Sequence, residues 1–149
     1  MRFDHLDDRT GYLHLAPYVR SDCGVDQRVW GNFARMRDLY SMFREDLCPP
    51  TMQLAAWAAQ FFVSRARIVA NPPSKYARVK ELLEAPEAHW LLGEGKDFEW
   101  GAAMGPSNPF FGHALERSWP VIFNCTDPTM ADRCGDDVYD KAACQCRDW

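Results

Sequence analysis

Long apolar runs are missing from this sequence. The longest, from Leu54 to Val63, is interrupted by Gln60 and is much shorter than the roughly 20 apolar residues that a membrane-spanning helix needs. Basic residues are also in deficit, with 17 Lys and Arg against 21 Asp and Glu, and they form no clustered stripe. These absences argue against a transmembrane segment and against a nucleic-acid-binding surface. The first eight residues are polar and acidic, unlike a signal peptide.

Motifs of several common catalytic sites are missing as well. No Gly-x-Ser-x-Gly elbow supports a serine hydrolase. The Gly95-Lys96 pair lacks its phosphate-loop partners, because Trp90 and Asp97 stand where glycine and Ser or Thr are required. Residues 93–107 are therefore predicted to form a surface loop.

The composition predicts a single globular domain covering residues 1–149. Apolar residues make up 47% of the chain and charged residues 26%, which is typical of a folded domain. A chain of this length can bury roughly two-thirds of its unfolded surface.

Six cysteines are the most unusual part of the composition, and four of them lie in a cysteine-rich tail at 124–149. An even count in a tail with few apolar residues predicts disulfide bonds, although fifteen pairings are possible. Free thiols and a metal site are the alternatives. The spacing does not favour zinc, because only Cys144 and Cys146 are close together, so no metal is assigned. The six residues are Cys23, Cys48, Cys125, Cys134, Cys144 and Cys146.

Asn124, Cys125 and Thr126 form an N-glycosylation sequon. Such sequons are short and arise by chance, so the motif alone says little. Together with the cysteines it predicts a protein of the secretory pathway lumen or the extracellular space.

Periodicity predicts a mixed α/β fold that is dominated by helices, with a few short strands packed by three or four helices. Residues 11–15 alternate weakly and predict a strand that ends before Pro17. Residues 27–46 predict an amphipathic helix whose apolar positions step by three and four. That face consists of Phe33, Met36, Tyr40, Phe43 and Leu47.

The middle of the chain is more ambiguous. Alanines favour a short helical or irregular start after Thr51, which passes into a strand at Ala59–Val63. Ser64 is placed to cap a helical turn at 65–69. A further helix is predicted from Pro73 or Ser74 to Ala85, and Tyr76, Val79, Leu82 and Leu83 form its inner face.

A last helix is predicted after Asn108, its expected cap, and Pro109. His113 and Glu116 are three residues apart and so are neighbours on its flank. Pro120 has no N–H, so the helix should kink or end there. We consider His113 and Glu116 a candidate catalytic pair, with a solvated helix flank as the alternative. The inner face contains Phe111, Leu115, Trp119 and Ile122.

Several of these blocks resemble an uncharacterised, mainly fungal family catalogued as domain of unknown function 3431. Residues 59–68 (Ala-Gln-Phe-Phe-Val-Ser-Arg-Ala-Arg-Ile), followed by a proline and Tyr76, are similar to its central block. Residues 11–15 resemble its Gly-Tyr-x-x-Leu segment, and residues 112–123 resemble its closing helix. The order and approximate spacing of the blocks agree over most of the chain.

The chain also departs from the family pattern. Trp57 and Ala58 stand where adjacent cysteines are common, Arg117 where an aromatic residue is common, and Pro120 where a helix-compatible residue is expected. The family's N-terminal half, with an Asn-x-Gly-x-Glu segment and a hydrophobic strand followed by histidines, has no counterpart here. The resemblance therefore implies the C-terminal portion of a larger, truncated domain.

Members of the family are regarded as glycosyltransferase-like proteins of the secretory pathway. The resemblance implies a nucleotide-sugar donor, with a divalent cation, bound mainly by the half without a counterpart. This chain would then contact the acceptor, a glycan or a small hydroxylated molecule, and Glu116 would be its base.

Three further residues would contact substrate under this resemblance. Gln60 and Ser64 would offer polar groups, and Trp119 would stack on a sugar ring. Each has a structural alternative: Gln60 bonding backbone, Ser64 capping a helix and Trp119 filling the core. Capping and helical spacing favour that alternative for Ser64 and Trp119.

Two functional hypotheses follow from the sequence. The first is a glycosyltransferase-like domain fragment that could be inactive alone. The second is a small disulfide-stabilised secreted protein that binds a partner without catalysis. Neither the oligomeric state nor the cofactor can be assigned from the sequence.

Overall fold

The computed structural model describes residues 6–26, 33, 35–51, 53–86, 107–134 and 141–148. Within these ranges the fold is mixed α/β, with short strands, α-helices and one 3₁₀ helix at Lys141–Cys144. The strands are β1 Thr10–His14, β2 Tyr18–Asp22, β3 Val25–Asp26, β4 Gln53–Ala56, β5 Phe61–Val63 and β6 Gln145–Arg147. The α-helices are α1 Met36–Arg44, α2 Arg65–Val69, α3 Pro73–Leu83, α4 Phe110–Ile122 and α5 Met130–Arg133.

The strands form two small antiparallel sheets with the orders β5-β1-β6 and β3-β2-β4. The predicted strand at 11–15 is confirmed as β1, where Leu13 pairs with Phe62 on one side and Gln145 on the other. The expectation of a helix-dominated fold is right only in part. More of the described residues are helical than extended, but the two sheets organise the core.

The expected helical or irregular start after Thr51 is wrong, because Gln53–Ala56 is strand β4. Ala55 and Ala56 are fully buried and α4 packs against this strand. Alanine favours helices locally, but its small side chain also allows a helix to approach a sheet closely, and here tertiary packing prevails. The strand expected at Ala59–Val63 is confirmed in shorter form as β5.

Helix α1 is shorter than the predicted 27–46, although residues 27–32 and 34 lie outside the described ranges. It buries Met36, Leu39 and Phe43. Glu45, with φ of 58°, ends the helix in a left-handed conformation. Leu47 therefore leaves the predicted apolar face and is 81% exposed.

The predictions for α2 and α3 are confirmed closely. The Ser64 hydroxyl accepts a hydrogen bond from the Arg67 N–H at 3.2 Å, which caps α2 as expected. Helix α3 turns Val79 into the core, and the other predicted inner-face residues, Tyr76, Leu82 and Leu83, pack partly buried against it.

Helix α4 begins and ends differently from expectation. Pro109, not Asn108, is the residue that precedes its first turn. The helix passes through Pro120 and ends at Ile122. Two hydrogen bonds then close its end, from the Cys125 N–H to the Pro120 carbonyl at 2.7 Å and from the Asn124 N–H to the Val121 carbonyl at 3.1 Å. These bonds, with Asn124 at φ 55°, form a Schellman motif.

All six cysteines form disulfide bonds, which confirms that prediction. The pairs are Cys23–Cys48, Cys125–Cys146 and Cys134–Cys144. The last two lie within the predicted tail, whose final strand β6 pairs with β1. The tail is thus joined to the first sheet. No helix in the described ranges is long and apolar enough to span a membrane.

A buried arginine connects this tail to α4. Arg67 is 9% exposed, and its Nε donates to Asp148 Oδ1 at 2.9 Å. Its other nitrogens donate to the carbonyls of Phe123, Asn124 and Arg147 at 2.7–2.8 Å. The guanidinium is therefore satisfied by four partners. Neither its burial nor its partners were predicted from the sequence.

Candidate functional site

Glu116 and His113 lie side by side on α4, as their spacing predicts. His113 Nδ1 is 3.7 Å from Glu116 Oε2, and the two side chains are 25% and 29% exposed. The pair is therefore partly open to solvent and partly enclosed by the fold.

A backbone amide from a distant loop fixes the Glu116 carboxylate. The Ala58 N–H donates to Glu116 Oε1. Ala58 has φ of 66°, a conformation that costs a non-glycine residue roughly 1–2 kcal/mol. Strained residues of this kind are frequent at functional sites, where surrounding contacts hold them in place.

Arg117 places a positive charge near the same carboxylate. Its Nη1 is 4.0 Å from Glu116 Oε2 and donates to the His113 carbonyl at 3.3 Å. Its guanidinium also lies 3.6 Å from the centre of the Phe33 ring, and the residue is 4% exposed. Stacking of arginine on an aromatic face explains how a buried cation is accommodated here.

A buried histidine, His14, contacts the loop that contains Ala58. His14 is fully buried, and its Nε2 lies 2.6 Å from the Trp57 carbonyl. A carbonyl only accepts, so Nε2 carries the proton. In a neutral ring Nδ1 then accepts from the Tyr12 hydroxyl, 3.0 Å away. His14 thereby anchors the residue that precedes Ala58.

Two tyrosines surround His14. The Tyr18 hydroxyl accepts from the His14 N–H at 3.0 Å and donates to the Cys144 carbonyl at 3.1 Å. Burial raises the pKa of Tyr18 to about 12 and raises the pKa of Tyr12 further, so both stay neutral under physiological conditions. The sequence did not predict this cluster. Its only local signal is the alternation of residues in β1, which places Tyr12 and His14 on the same face.

Trp119 lies one turn beyond Glu116 and packs among aromatic rings. Its ring centroid is 5.2 Å from that of Phe61 and 5.8 Å from that of Phe123, nearly parallel to the latter. These contacts give Trp119 a core role, the alternative favoured from its helical spacing. Its indole nitrogen is buried without a hydrogen-bond partner among the described residues.

An apolar groove of about 290 Å³ runs between α3 and α4. Trp119 lines it on the α4 side, and Val79 and Leu83 line it on the α3 side. Its lining is almost wholly apolar, so it suits a hydrophobic group better than a charged one.

Gln60 and Ser64 are not brought into contact with Glu116. The Gln60 side chain is exposed, and its backbone carbonyl accepts from the Leu15 N–H at 2.9 Å. Ser64 caps α2. Thus the geometry joins His113 with Glu116, and it gives Ser64 and Trp119 structural roles.

In the described ranges, no group of three or more His, Cys, Asp or Glu side chains is arranged to hold a metal ion. Among the described residues, the carboxyl groups with a lowered pKa are not part of the Glu116 site. Hydrogen bonds from Arg147, Lys75 and Thr129 lower the pKa values of Asp7, Glu45 and Asp127 respectively. Each of them has a nearby basic partner, which is typical of surface ion pairs.

Comparisons with protein-family models, curated proteins and solved structures find no match to this chain. The resemblance to domain of unknown function 3431 therefore stays a prediction from the residues quoted above.

Proposed function

We propose that this chain is a glycosyltransferase-like domain of the secretory pathway in which Glu116 removes a proton from an acceptor hydroxyl. The observation that carries the proposal is a partly exposed carboxylate, fixed by the amide of a strained alanine and next to a histidine. The acceptor would be a glycan or a small hydroxylated molecule, as the family resemblance implies. Three disulfides support an oxidising compartment.

The two carboxylate oxygens would have separate tasks. Oε1 is occupied by the Ala58 N–H, which holds the group in one orientation. Oε2 faces His113 and Arg117 at 3.7 and 4.0 Å, beyond ordinary hydrogen-bond range. It therefore keeps room for a hydroxyl proton, which a general base must reach at about 2.6–3.2 Å.

His113 would orient the acceptor or carry the proton away. Its imidazole ring can adopt either tautomer, so one ring nitrogen can donate while the other accepts. The described residues offer no clustered ligands for a divalent cation. Under the proposal, the nucleotide-sugar donor and its cation would be bound mainly by the N-terminal half of the family domain, as the resemblance implies.

Glu116→Gln separates catalysis from structure at this position. Glutamine keeps an oxygen that can accept from the Ala58 N–H, so the loop should stay in place and the melting temperature should change little. Its amide cannot act as a base. Transfer of sugar from a panel of nucleotide-sugar donors by the full-length protein should fall at least 100-fold, the usual contribution of general-base catalysis.

Glu81→Gln is the matched control, because Glu81 is exposed on α3 and pairs only with Arg78 in the described structure. It should leave transfer unchanged. If Glu116→Gln transfers sugar as fast as the parent protein, Glu116 is not the base. Full-length protein that turns over no donor at all would count against the glycosyltransferase proposal itself.

The apolar groove favours a second candidate, a disulfide-stabilised secreted protein that binds a partner without chemistry. This candidate predicts no turnover of any donor and binding of an apolar fluorescent probe in the groove. Leu83→Gln, at a half-buried groove position, should weaken that binding. Probe affinity unchanged by Leu83→Gln would argue against the groove as the binding surface.

A further inference from the structure

The sequon at the end of α4 has an unusual structural setting. Asn124 occupies the left-handed position of the Schellman motif, with φ of 55°. Its side chain is exposed and lines an open cleft of about 470 Å³, together with Tyr40 and Thr126. A glycan attached here would extend into solvent without disturbing the core.

The backbone of the same sequon is fixed firmly. The Asn124 carbonyl accepts from Arg67 Nη1 at 2.8 Å, and the Asn124 N–H is bonded inside the motif. Cys125, the middle residue, is fully buried and bonded to Cys146. The folded, oxidised sequon therefore cannot leave the surface to enter an enzyme cleft, although its asparagine side chain is accessible.

From this contrast we propose that Asn124 is N-glycosylated, and that glycosylation takes place before the Cys125–Cys146 disulfide closes. In the reaction the side-chain amide nitrogen of Asn124 forms a bond to C1 of the first sugar of a lipid-pyrophosphate-linked oligosaccharide. The bond from C1 to the pyrophosphate breaks, the lipid pyrophosphate leaves with the electron pair, and the amide loses one proton. This inference is independent of the reaction proposed for Glu116.

The order of the residues along the chain leaves time for glycosylation before the Cys125–Cys146 disulfide can form. Cys146 follows Cys125 by 21 residues, so the sequon enters the lumen before its disulfide partner. At about 5–20 residues per second, synthesis of that stretch takes on the order of one to four seconds. Disulfide formation then adds seconds or longer. During this interval the sequon is still an extended, flexible segment.

The test compares two states of one purified chain. The oxidised, folded protein and the same protein held reduced in denaturant-free buffer are each incubated with solubilised oligosaccharyltransferase and a lipid-pyrophosphate-linked chitobiose donor. Intact-mass spectrometry follows the modification. The reduced chain should be modified at least tenfold faster than the oxidised chain, and Thr126→Ala, which removes the sequon at an exposed position, should abolish modification in both.

Cys146→Ser distinguishes the local disulfide from folding in general. This variant retains the cysteines of both other disulfides, so after oxidation it should be modified about as fast as the reduced parent chain. Failure of the reduced parent chain to accept sugar would overturn the site. Equal rates for oxidised and reduced parent protein would overturn the proposed order, as would a Cys146→Ser protein that stays unmodified after oxidation.

Discussion

Replacing Gly11 with alanine should destabilise the protein strongly, because the Gly11 Cα hydrogen occupies the space beside the ion pair between buried Arg67 and partly buried Asp148. A Cβ at Gly11 would overlap Arg67 Nε and Asp148 Oδ1 and lie 2.9 Å from Arg67 Cζ. Gly11 lies in strand β1, and the Gly11 carbonyl also accepts a hydrogen bond from the Ser64 N–H at 2.8 Å. The strand therefore has little freedom to withdraw.

The magnitude follows from what Arg67 would lose. Its Nε bond to Asp148 must lengthen or break, and the guanidinium is 9% exposed, so water replaces that partner poorly. Breaking a buried charge pair costs about 3–5 kcal/mol. The guanidinium also holds the carbonyls of Phe123, Asn124 and Arg147, and moving it weakens those bonds too. We expect a loss of about 3–5 kcal/mol for Gly11→Ala.

Urea unfolding with the disulfides intact would measure this loss. For a urea dependence of about 1.5 kcal/mol per molar, the midpoint should fall by roughly 2–3 M. Gly112→Ala is the matched control, since its Cβ would meet Pro109 Cγ at an ordinary 3.4 Å within α4. That change should stabilise the protein by about 0.5 kcal/mol. A Gly11→Ala protein within 1 kcal/mol of the parent by the same measure would refute the reasoning.

Three further outcomes are expected. Ser64→Ala should cost about 1 kcal/mol in the same urea assay, since it removes the cap of α2, while the exposed Ser74→Ala should change stability little. Ala58→Gly should raise stability by about 1 kcal/mol, because glycine tolerates φ of 66°, and a loss instead would show that this backbone is unstrained. The pKa of Asp127 is lowered chiefly by the Thr129 hydroxyl and also by Arg133. The ionised Asp127 carboxylate therefore stabilises the folded protein at pH values above its ordinary pKa of 3.8, and this stabilisation is lost as the pH falls through the lower pKa of the folded state. Thr129→Val should raise that pKa in an NMR titration, and no change would contradict the assignment.

Local patterns were enough to predict several elements of this fold. The Ser64 cap predicted the start of α2, and the three-and-four spacing in 73–85 predicted α3. His113 and Glu116 were expected to be neighbours because they are three residues apart on one helix. In each case the information lies within one or two turns of chain.

The rest depended on contacts between distant segments. Glu116 receives its hydrogen bond from Ala58, 58 residues earlier, and nothing in the sequence marks an alanine that adopts a positive φ. Arg67 lies 81 residues from Asp148. Ala55 and Ala56 lie in a strand that pairs with β2 and is covered by α4, and both partners are distant in the sequence. Pairing among six cysteines likewise depends on which segments the fold brings together.

The end of α4 shows how these distant contacts act together. Pro120 removes the N–H that would bond the Glu116 carbonyl, which led us to expect a kink or an end at that point. The helix nevertheless continues to Ile122, and the carbonyls at and after its end accept hydrogen bonds from side-chain donors. Arg44 donates to Val121, Asn71 to Ile122, and Arg67 to Phe123 and Asn124.

The donors at this helix end come from α1, from α2 and from Asn71, two residues after α2, and the Cys125–Cys146 disulfide adds β6. Positive charge near a helix C-terminus is favourable, so Arg44 and Arg67 stabilise the end electrostatically as well as by hydrogen bonding. One of the arginine bonds, from Arg67 Nη1 to the Asn124 carbonyl, also fixes the backbone of the sequon. The Arg67 bond and the closed disulfide thus hold Asn124 and Cys125 in place together. Loss of Arg67 should therefore loosen Asn124 and the end of α4 together, whereas loss of Cys146 should release the sequon at Cys125 and leave the arginine contacts to Val121 and Phe123 intact.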